Sequence, residues 1–456
     1  MNCMKLPTHM NSKTLAAVAL ALAATCSGSF GQVFYTGNAT TWGNSTNWSS
    51  GSVPTSATNI EFGNYTGVNS ANTGTTNQPV NDVSFTRNSS TTIVTMSAGG
   101  GGVNASGTIS STAGASEVFM RAGGTLAAAN LTVNNAFNLG SRSAAGLNSQ
   151  IGNVTISGTT TINSGGTLHA ASLNGTTSLG SLEMSGGTFN LVSGNSLANG
   201  SGNGTTNTIS VSRLNGSGTI TGAKTGATSI TTGHLIVSGT TNGTFSGNIT
   251  NGLANNVVQI SKAGSSTLTL SGNNSYSGVT AVSAGTLLVS GGGLTGTTSL
   301  AVSGGSLQLG AANVLSNNAT MVLSGGNFST GATTGFGETL GTLDLETAAT
   351  LTLALGTGVH SLNFANSSGI DWTGSTLTIT GWTGTAGFSG TAGRIFFGNN
   401  ATGLSPGQLS QINFTGYANG ASILSTGEIV AIPEPATWAL LAGSLTAVLV
   451  FRRRRG

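Results

Sequence analysis

The 456-residue sequence predicts an all-β chain wound as a β-solenoid. Three observations lead there. First, a Gly-x-Leu/Phe triplet with Thr, Ser or Asn at its centre recurs at Gly124, Gly166, Gly187, Gly285, Gly305 and Gly326. The glycine separations are 42, 21, 98, 20 and 21 residues, and four of the five are one or two multiples of about 21, the signature of a repeat. Second, apolar residues alternate around those glycines, at Leu268/Leu270, Leu287/Val289 and Leu307/Leu309. Alternation means one dry face and one wet face, the latter carrying Thr267, Thr269, Thr286 and Gln308. Third, only 5% of residues are charged and 73 are Gly, against about 25% charged in ordinary soluble domains.

Each winding follows from these patterns. Two short strands per ~20 residues, joined by Gly, Ser and Asn turns, make one coil, and a coil cannot bury its apolar face alone. Stacking at the ~4.8 Å strand spacing pairs every backbone group and lines up the aliphatic side chains inside. About 18 to 20 such coils give a rod on the order of 90 Å. Glycine is expected at the corners, where positive φ or close backbone approach is required. Disorder is excluded by 37% hydrophobic residues with almost no net charge, the opposite of the composition that keeps chains unfolded.

The amino-terminal end reads as a leader. Lys5 and Lys13 precede an apolar run from Thr14 to Ala24, too short to span a bilayer and followed by small residues, so residues 1–31 are expected to be a secretory signal peptide cleaved after Gly31. A lipoprotein site at Thr25-Cys26 is the rival, with an unfavourable Thr before the Cys. Cys3 and Cys26, the two cysteines, fall in that segment, so the exported chain carries no disulfide.

The solenoid is expected to occupy residues 32–394, with a cap and linker over 395–431. Near its start, the Trp42 to Pro54 stretch, with Trp42 and Trp48, is expected to cover the open edge of the first coil, with carbohydrate stacking as the alternative use of the indoles. At the far end, Ser405-Pro406-Gly407-Gln408 has the residues of a helix capping box with Pro at the first helical position.

Residues 432–456 form a separate unit. Ile432-Pro433-Glu434-Pro435 is followed by sixteen uncharged residues, Ala436 to Phe451, and then Arg452, Arg453, Arg454 and Arg455. As a helix the sixteen would reach about 24 Å, somewhat short of a ~30 Å hydrocarbon core, a gap that snorkelling or a thinner bilayer closes. The arginines should hold this end on the cytoplasmic side. The order Pro-Glu-Pro, short apolar helix, arginine cluster resembles the PEP-CTERM sorting signal of exported bacterial proteins. The resemblance implies recognition by an exosortase-type membrane transpeptidase, loss of the helix near Pro433, Glu434 and Pro435, and a host that secretes exopolysaccharide.

The segment from Ile260 to Val289, with its Leu268-Thr269-Leu270 and Gly285-Thr286-Leu287 elements, resembles the autotransporter-associated β-strand repeat, and the resemblance implies a right-handed parallel β-helix passenger. True autotransporters end in an outer-membrane barrel with a terminal aromatic; here the arginines stand instead, so the chain is not expected to export itself.

Chemical signals are sparse. Between Gln32 and Ala431 stand seven basic and nine acidic residues, with no clustered Lys/Arg footprint for nucleic acid. Gly403-Leu404-Ser405-Pro406-Gly407 matches the hydrolase nucleophile elbow, but Pro406 has no N–H for the oxyanion hole. Gly291-Gly292-Gly293-Leu294-Thr295-Gly296 matches a dinucleotide fingerprint without a ribose-binding acid and reads as a turn. His169, His234 and His360 lack zinc spacing, and neither metal nor cofactor is expected. The best catalytic candidates are Asp344 and Glu346, two positions apart and expected on one outward face, with Glu338 and Asp371 able to approach from neighbouring coils. Trp372 and Trp382 are expected to pack at the solenoid end, with sugar stacking as the alternative, and Thr376-Leu377-Thr378-Ile379-Thr380 is a threonine ladder.

These readings converge on an exported structural protein, not an enzyme, that presents a long uncharged hydroxyl- and amide-rich face to exopolysaccharide or a partner at the cell envelope, outer surface or extracellular matrix. A polysaccharide-cleaving lyase or hydrolase on the same scaffold, using Asp344 and Glu346, and an adhesin with a protein receptor are the alternatives.

Overall fold

The computed structural model describes residues 32–33 and 42–434, except 63–69, 73–76, 87–91, 96–100, 115–116, 122–123, 141–150, 171–174, 196–205, 226–229, 354–358 and 374–375. The leader, Pro435, the apolar run and the arginines lie outside the described residues. Within them 51% of the residues lie in strands and 3% in helix, the strands joined by parallel pairing between each winding and the next.

Each winding contributes to up to three parallel ladders. The first face stacks Gln78–Val80 on part of Val103–Ser111 and continues through strands such as Thr231–Val237 and Asn256–Lys262 to Leu343–Leu345. The second face is the most continuous: sixteen strands stack from Gln32–Val33 to Ile412–Phe414. At ~4.8 Å per step this is a column of about 72 Å, shorter than the 18 to 20 coils of the sequence estimate. The third face runs through Ala136–Leu139 and Thr167–Ala170, then narrows to single bridged residues, Ile249 to Asn274 to Leu294 to Leu315. The two-strand coil predicted from the sequence therefore fits only the middle of the molecule, where the third face is one residue wide.

The interior of the second face explains the length difference. Register places Ile60, Val83, Ile109, Leu131, Thr160, Leu182 and Leu214 in one inward column that continues through Leu268, Leu287, Leu307, Phe328, Leu351, Ile379 and Phe414. Neighbours in the column lie 19 residues apart between Leu268 and Leu287 and 35 apart between Ile379 and Phe414. Windings near 20 residues follow one another without a break only from 268 to 328; elsewhere in the column they take 22 to 35 residues, and fewer windings fit.

Leu268, Leu287 and Leu307 are buried as the alternation requires, and Thr267, Thr269, Thr286 and Gln308 stay partly exposed on the other side. The repeat glycines serve the corners in two ways. Gly285, Gly305 and Gly326 have φ of 64, 92 and 64 degrees, a region that a Cβ penalises. At Gly166 an added Cβ would collide with the Val133 carbonyl of the winding below.

Polar groups also enter the core, and several of them pair across windings. Asn274 is buried, its Nδ2 donating to the Gly272 carbonyl at 2.8 Å while its Oδ1 accepts from Ile249 N at 3.2 Å. The buried Tyr276 hydroxyl meets Thr280 Oγ1 at 2.7 Å, Thr280 meets Thr297 at 3.2 Å, and Thr297 donates to the Gly278 carbonyl at 2.7 Å. Burial pushes the Tyr276 phenol above its ordinary range. Lys262 occupies an inward position on the first face, with Nζ donating to the Gly264 and Ala284 carbonyls of successive corners. Desolvation lowers the affinity of this amine for its proton.

Both ends are closed. Trp42 and Trp48 are buried, 5.1 Å apart edge to face, and lead into Phe62, Phe85 and Phe137. Trp48 Nε1 donates to the Trp42 carbonyl at 2.9 Å, so the indoles cap the stack and are not available to stack on sugar. At the other end parallel stacking stops: Ala418–Ile423 and Glu428–Ile432 pair antiparallel with one another, and Glu428–Ile432 also with Gly393–Phe397. Pro406–Ser410 is the expected helix. Ser405 Oγ accepts from Gln408 N and Ser405 N donates to Gln408 Oε1, while Gln408 Nε2 reaches the Ser367 and Ile370 carbonyls at 2.9 Å each. The Gly403 to Gly407 motif is a helix cap, and Gly292 and Gly293, with φ of 46 and 90 degrees, form the predicted turn.

Candidate interaction surface

The outward positions of the second face form two side-by-side columns. One holds Thr267, Thr286, Ser306, Asn327, Thr350 and Thr378; the other holds Thr269, Leu288, Gln308, Ser329, Thr352 and Thr380. Asn242 and Thr244 extend the columns one rung below, and Asn413 extends the first one rung above. Over these eight rungs, about 34 Å at ~4.8 Å each, neither column contains a charged residue. The columns lie roughly 7 Å apart, the i to i+2 distance along a strand.

Part of the polar surface is tied together. Asn327 Nδ2 donates to Ser306 Oγ at 3.2 Å, Thr352 Oγ1 donates to Asn327 Oδ1 at 2.9 Å, and Thr380 Oγ1 to Thr352 Oγ1 at 3.1 Å. Asn242 Oδ1 accepts from Thr267 N at 2.8 Å. Such ladders fix rotamers in advance, so a ligand meeting them loses less side-chain freedom. Among the described residues, charge on this face lies in the other half and is engaged by local partners: Glu183 accepts from Arg213 at 2.9 Å, Asn215 at 2.8 Å and Ser181 at 2.9 Å. Asp82 accepts from Thr108 N at 2.7 Å, and Glu61 from Thr86 at 2.7 Å.

The acidic candidates do not assemble into a site. Asp344 is half-buried on the outer side of Leu343–Leu345 and Glu346 is exposed just past that strand. Glu338 is not beside them: its carboxylate is buried and accepts from Val314 N at 2.7 Å, Leu315 N at 3.0 Å and Thr339 N at 3.0 Å. This seats Glu338–Leu340 on the third face where its bridges end. Burial raises the Glu338 pKa, and the three N–H donors oppose the shift. Asp371 is exposed in a loop, and its neighbour Trp372 is buried against Phe397 with Nε1 on the Leu343 carbonyl at 3.1 Å. Trp382 packs on Phe414 and Tyr417, so both indoles serve the end of the stack.

The histidines are separate. His169 Nδ1 faces Asn190 Nδ2 at 3.0 Å, His234 Nε2 faces Ser261 Oγ at 2.7 Å, and His360 Nε2 faces Thr330 Oγ1 at 3.0 Å. Among the described residues no group of three His, Cys, Asp or Glu side chains is placed to hold a metal ion, and no helix is long and apolar enough to cross a membrane. Of the sorting residues, Pro433 is half-buried and Glu434 exposed directly after the last strand; Pro435 and Arg452 to Arg455 are outside the described residues.

Compared with known proteins, residues 260–289 match the passenger-associated transport repeat, an autotransporter-associated β-strand repeat. The match spans Asn256–Lys262 from Ile260 on, Thr267–Leu270, the Asn274 bridge, Thr280–Val282 and Thr286–Val289, which is one full winding and part of the next. No curated protein and no solved structure matches the chain.

Proposed function

We propose that this chain is an exported structural and interaction protein of the bacterial cell surface or extracellular matrix, sorted by an exosortase-type membrane transpeptidase acting at Pro433-Glu434-Pro435. The match to a passenger repeat supports an exported, surface-exposed passenger-type solenoid. The observation that carries the sorting reading is where the described strands finish: the closing strand Glu428–Ile432 ends directly before Pro433. The last described strand therefore lies wholly before the triplet. The leader takes the chain across the inner membrane, the 436–451 segment holds it there transiently, and cleavage delivers a self-contained rod to the envelope or the medium. The mature protein's mechanism is presentation: the uncharged strip from Asn242 to Asn413 offers hydroxyls and amides to a polysaccharide without the electrostatic selection that charges impose.

The mass of the protein recovered from envelope and medium tests this. A carboxy terminus within Pro433 to Pro435 supports the reading; a surface form that retains Arg452 to Arg455 refutes it. The scaffold reading assigns no catalysis to Asp344 or Glu346, so D344N/E346Q is expected to leave any glycan association unchanged. Loss of a polysaccharide-cleaving turnover in that double variant would install the enzyme reading, and binding to whole cells but not to purified glycan would install the adhesin reading.

A further inference from the structure

The antiparallel end carries Phe388, 68% exposed and the most exposed of the large apolar side chains described. It does not sit on an untethered loop. Gly387 N donates to the Ala431 carbonyl at 2.8 Å, and Ser389 Oγ and Gly390 N donate to the buried Glu428 carboxylate at 2.6 and 2.8 Å. The Tyr417 hydroxyl donates to the Gly384 carbonyl at 3.0 Å, and Gly384 bridges Gly390 across the base. From Thr383 to Ala392 there is no charge, and Phe388 is the one side chain larger than threonine. A turn held at this many points fixes an apolar ring in water.

Its position suggests a reason. A Cβ placed on Gly387 would touch Pro433 Cγ at 3.8 Å, so the turn lies beside the start of the Pro-Glu-Pro triplet. The uncharged 436–451 run starts three residues after Pro433, within about 10 Å of chain. We infer that the 385–389 turn is a membrane-interface contact, with Phe388 seated in the headgroup boundary of the bilayer that takes up residues 436–451. Phe is among the apolar side chains that bury at that boundary, and such a wedge beside a membrane-inserted segment gives the solenoid end a second point of attachment. The inference rests on the sorting reading. It adds that the rod is held in a set orientation before cleavage, and that a single ring is too little to keep it there afterwards.

The test uses the full chain with Cys3 and Cys26 replaced by Ser, carrying one spin-labelled cysteine at a time in F388C, L445C or T55C. The proteins are reconstituted in phosphatidylethanolamine/phosphatidylglycerol vesicles, and circular dichroism checks that each is folded. Collision rates with oxygen and with a water-soluble nickel complex report depth. The label at 388 is expected to show a several-fold higher oxygen-to-nickel ratio than the label at the exposed Thr55, and to lose that excess when residues 435–456 are removed. A ratio at 388 equal to that at 55, with 445 immersed, overturns the interface contact alone. Water accessibility at 445 overturns the membrane reading beneath it, and if 388 is then also wet both fall. Protection at 388 from both reagents, meaning protein burial, overturns the contact as well.

Discussion

Replacing Leu287 and Leu288 one at a time by alanine tests the stacking register, because the two are adjacent in sequence and opposite in the fold. Leu287 is fully buried in the second-face column between Leu268 and Leu307; Leu288 is half-exposed between Thr269 and Gln308. L287A removes a side chain whose neighbours are held by ladders above and below, so the site collapses little. The cost is about 3 kcal/mol, inside the ~2–5 kcal/mol range for buried leucines, or roughly two orders of magnitude in the opening equilibrium. L288A should change stability by no more than about 0.5 kcal/mol. Because a solenoid opens in segments, amide hydrogen exchange is the right assay: protection should fall around 267–270, 286–289 and 306–309 in L287A and persist near 60–85. Equal losses in the two variants, or a larger loss for L288A, would refute the register, since a slip of one residue exchanges the two faces.

Four further outcomes follow from the buried polar groups and the caps. Desolvation lowers the Lys262 pKa below its ordinary 10.5, so the native state holds that proton less firmly than the unfolded chain. Its penalty is absent above the unfolded value and grows as pH falls through the folded one; stability should rise from neutral pH toward about 10, and K262M should flatten that rise in denaturant titrations. Glu338 has its pKa raised above 4.5, so the native state binds that proton more tightly. Its favourable contribution is complete below the unfolded value and disappears as pH rises through the folded one, so wild type should gain on E338Q when unfolding is compared at successively lower pH. W42A should cost about 3–5 kcal/mol, confined by hydrogen exchange to the rungs nearest Ile60–Phe62, with Ile412–Phe414 unaffected. Q408A removes the capping box and both tethers to Ser367 and Ile370, and thermal unfolding should report a loss of about 2 kcal/mol or more at the carboxy-terminal end.

The middle of the molecule was legible because its rule is simple. From Leu268 to Phe328 the windings are short, alternation is clean, and the inward and outward assignments of Leu287, Leu307, Thr269 and Gln308 hold in the structure. The third face was not legible, since a rung made of one bridged residue, such as Leu294 or Leu315, leaves no alternating pattern. Nor was the number of windings: the winding from Leu182 to Leu214 takes 32 residues where that from Leu268 to Leu287 takes 19, so no single period counts them. Thr160, Lys262 and Asn274 are buried although their side chains read as wet, because neighbouring carbonyls complete their hydrogen bonds. Glu338 is buried by the converse pairing, its carboxylate accepting from the backbone N–H groups of Val314, Leu315 and Thr339. The neutral strip was visible as composition, whereas the pinning of Phe388 depends on Glu428, forty residues further on, and on Ala431, which no local pattern connects to it.

The uneven spacing of the inward column has an evolutionary consequence. Since only strand segments enter the stack, the links between strands within a winding, such as those from Leu268 to Leu287 or from Leu182 to Leu214, can differ in length without displacing the rungs on either side. The rod is a spine whose ornaments are replaceable, and new recognition loops can be grafted or shed at the corners while the trunk keeps its register.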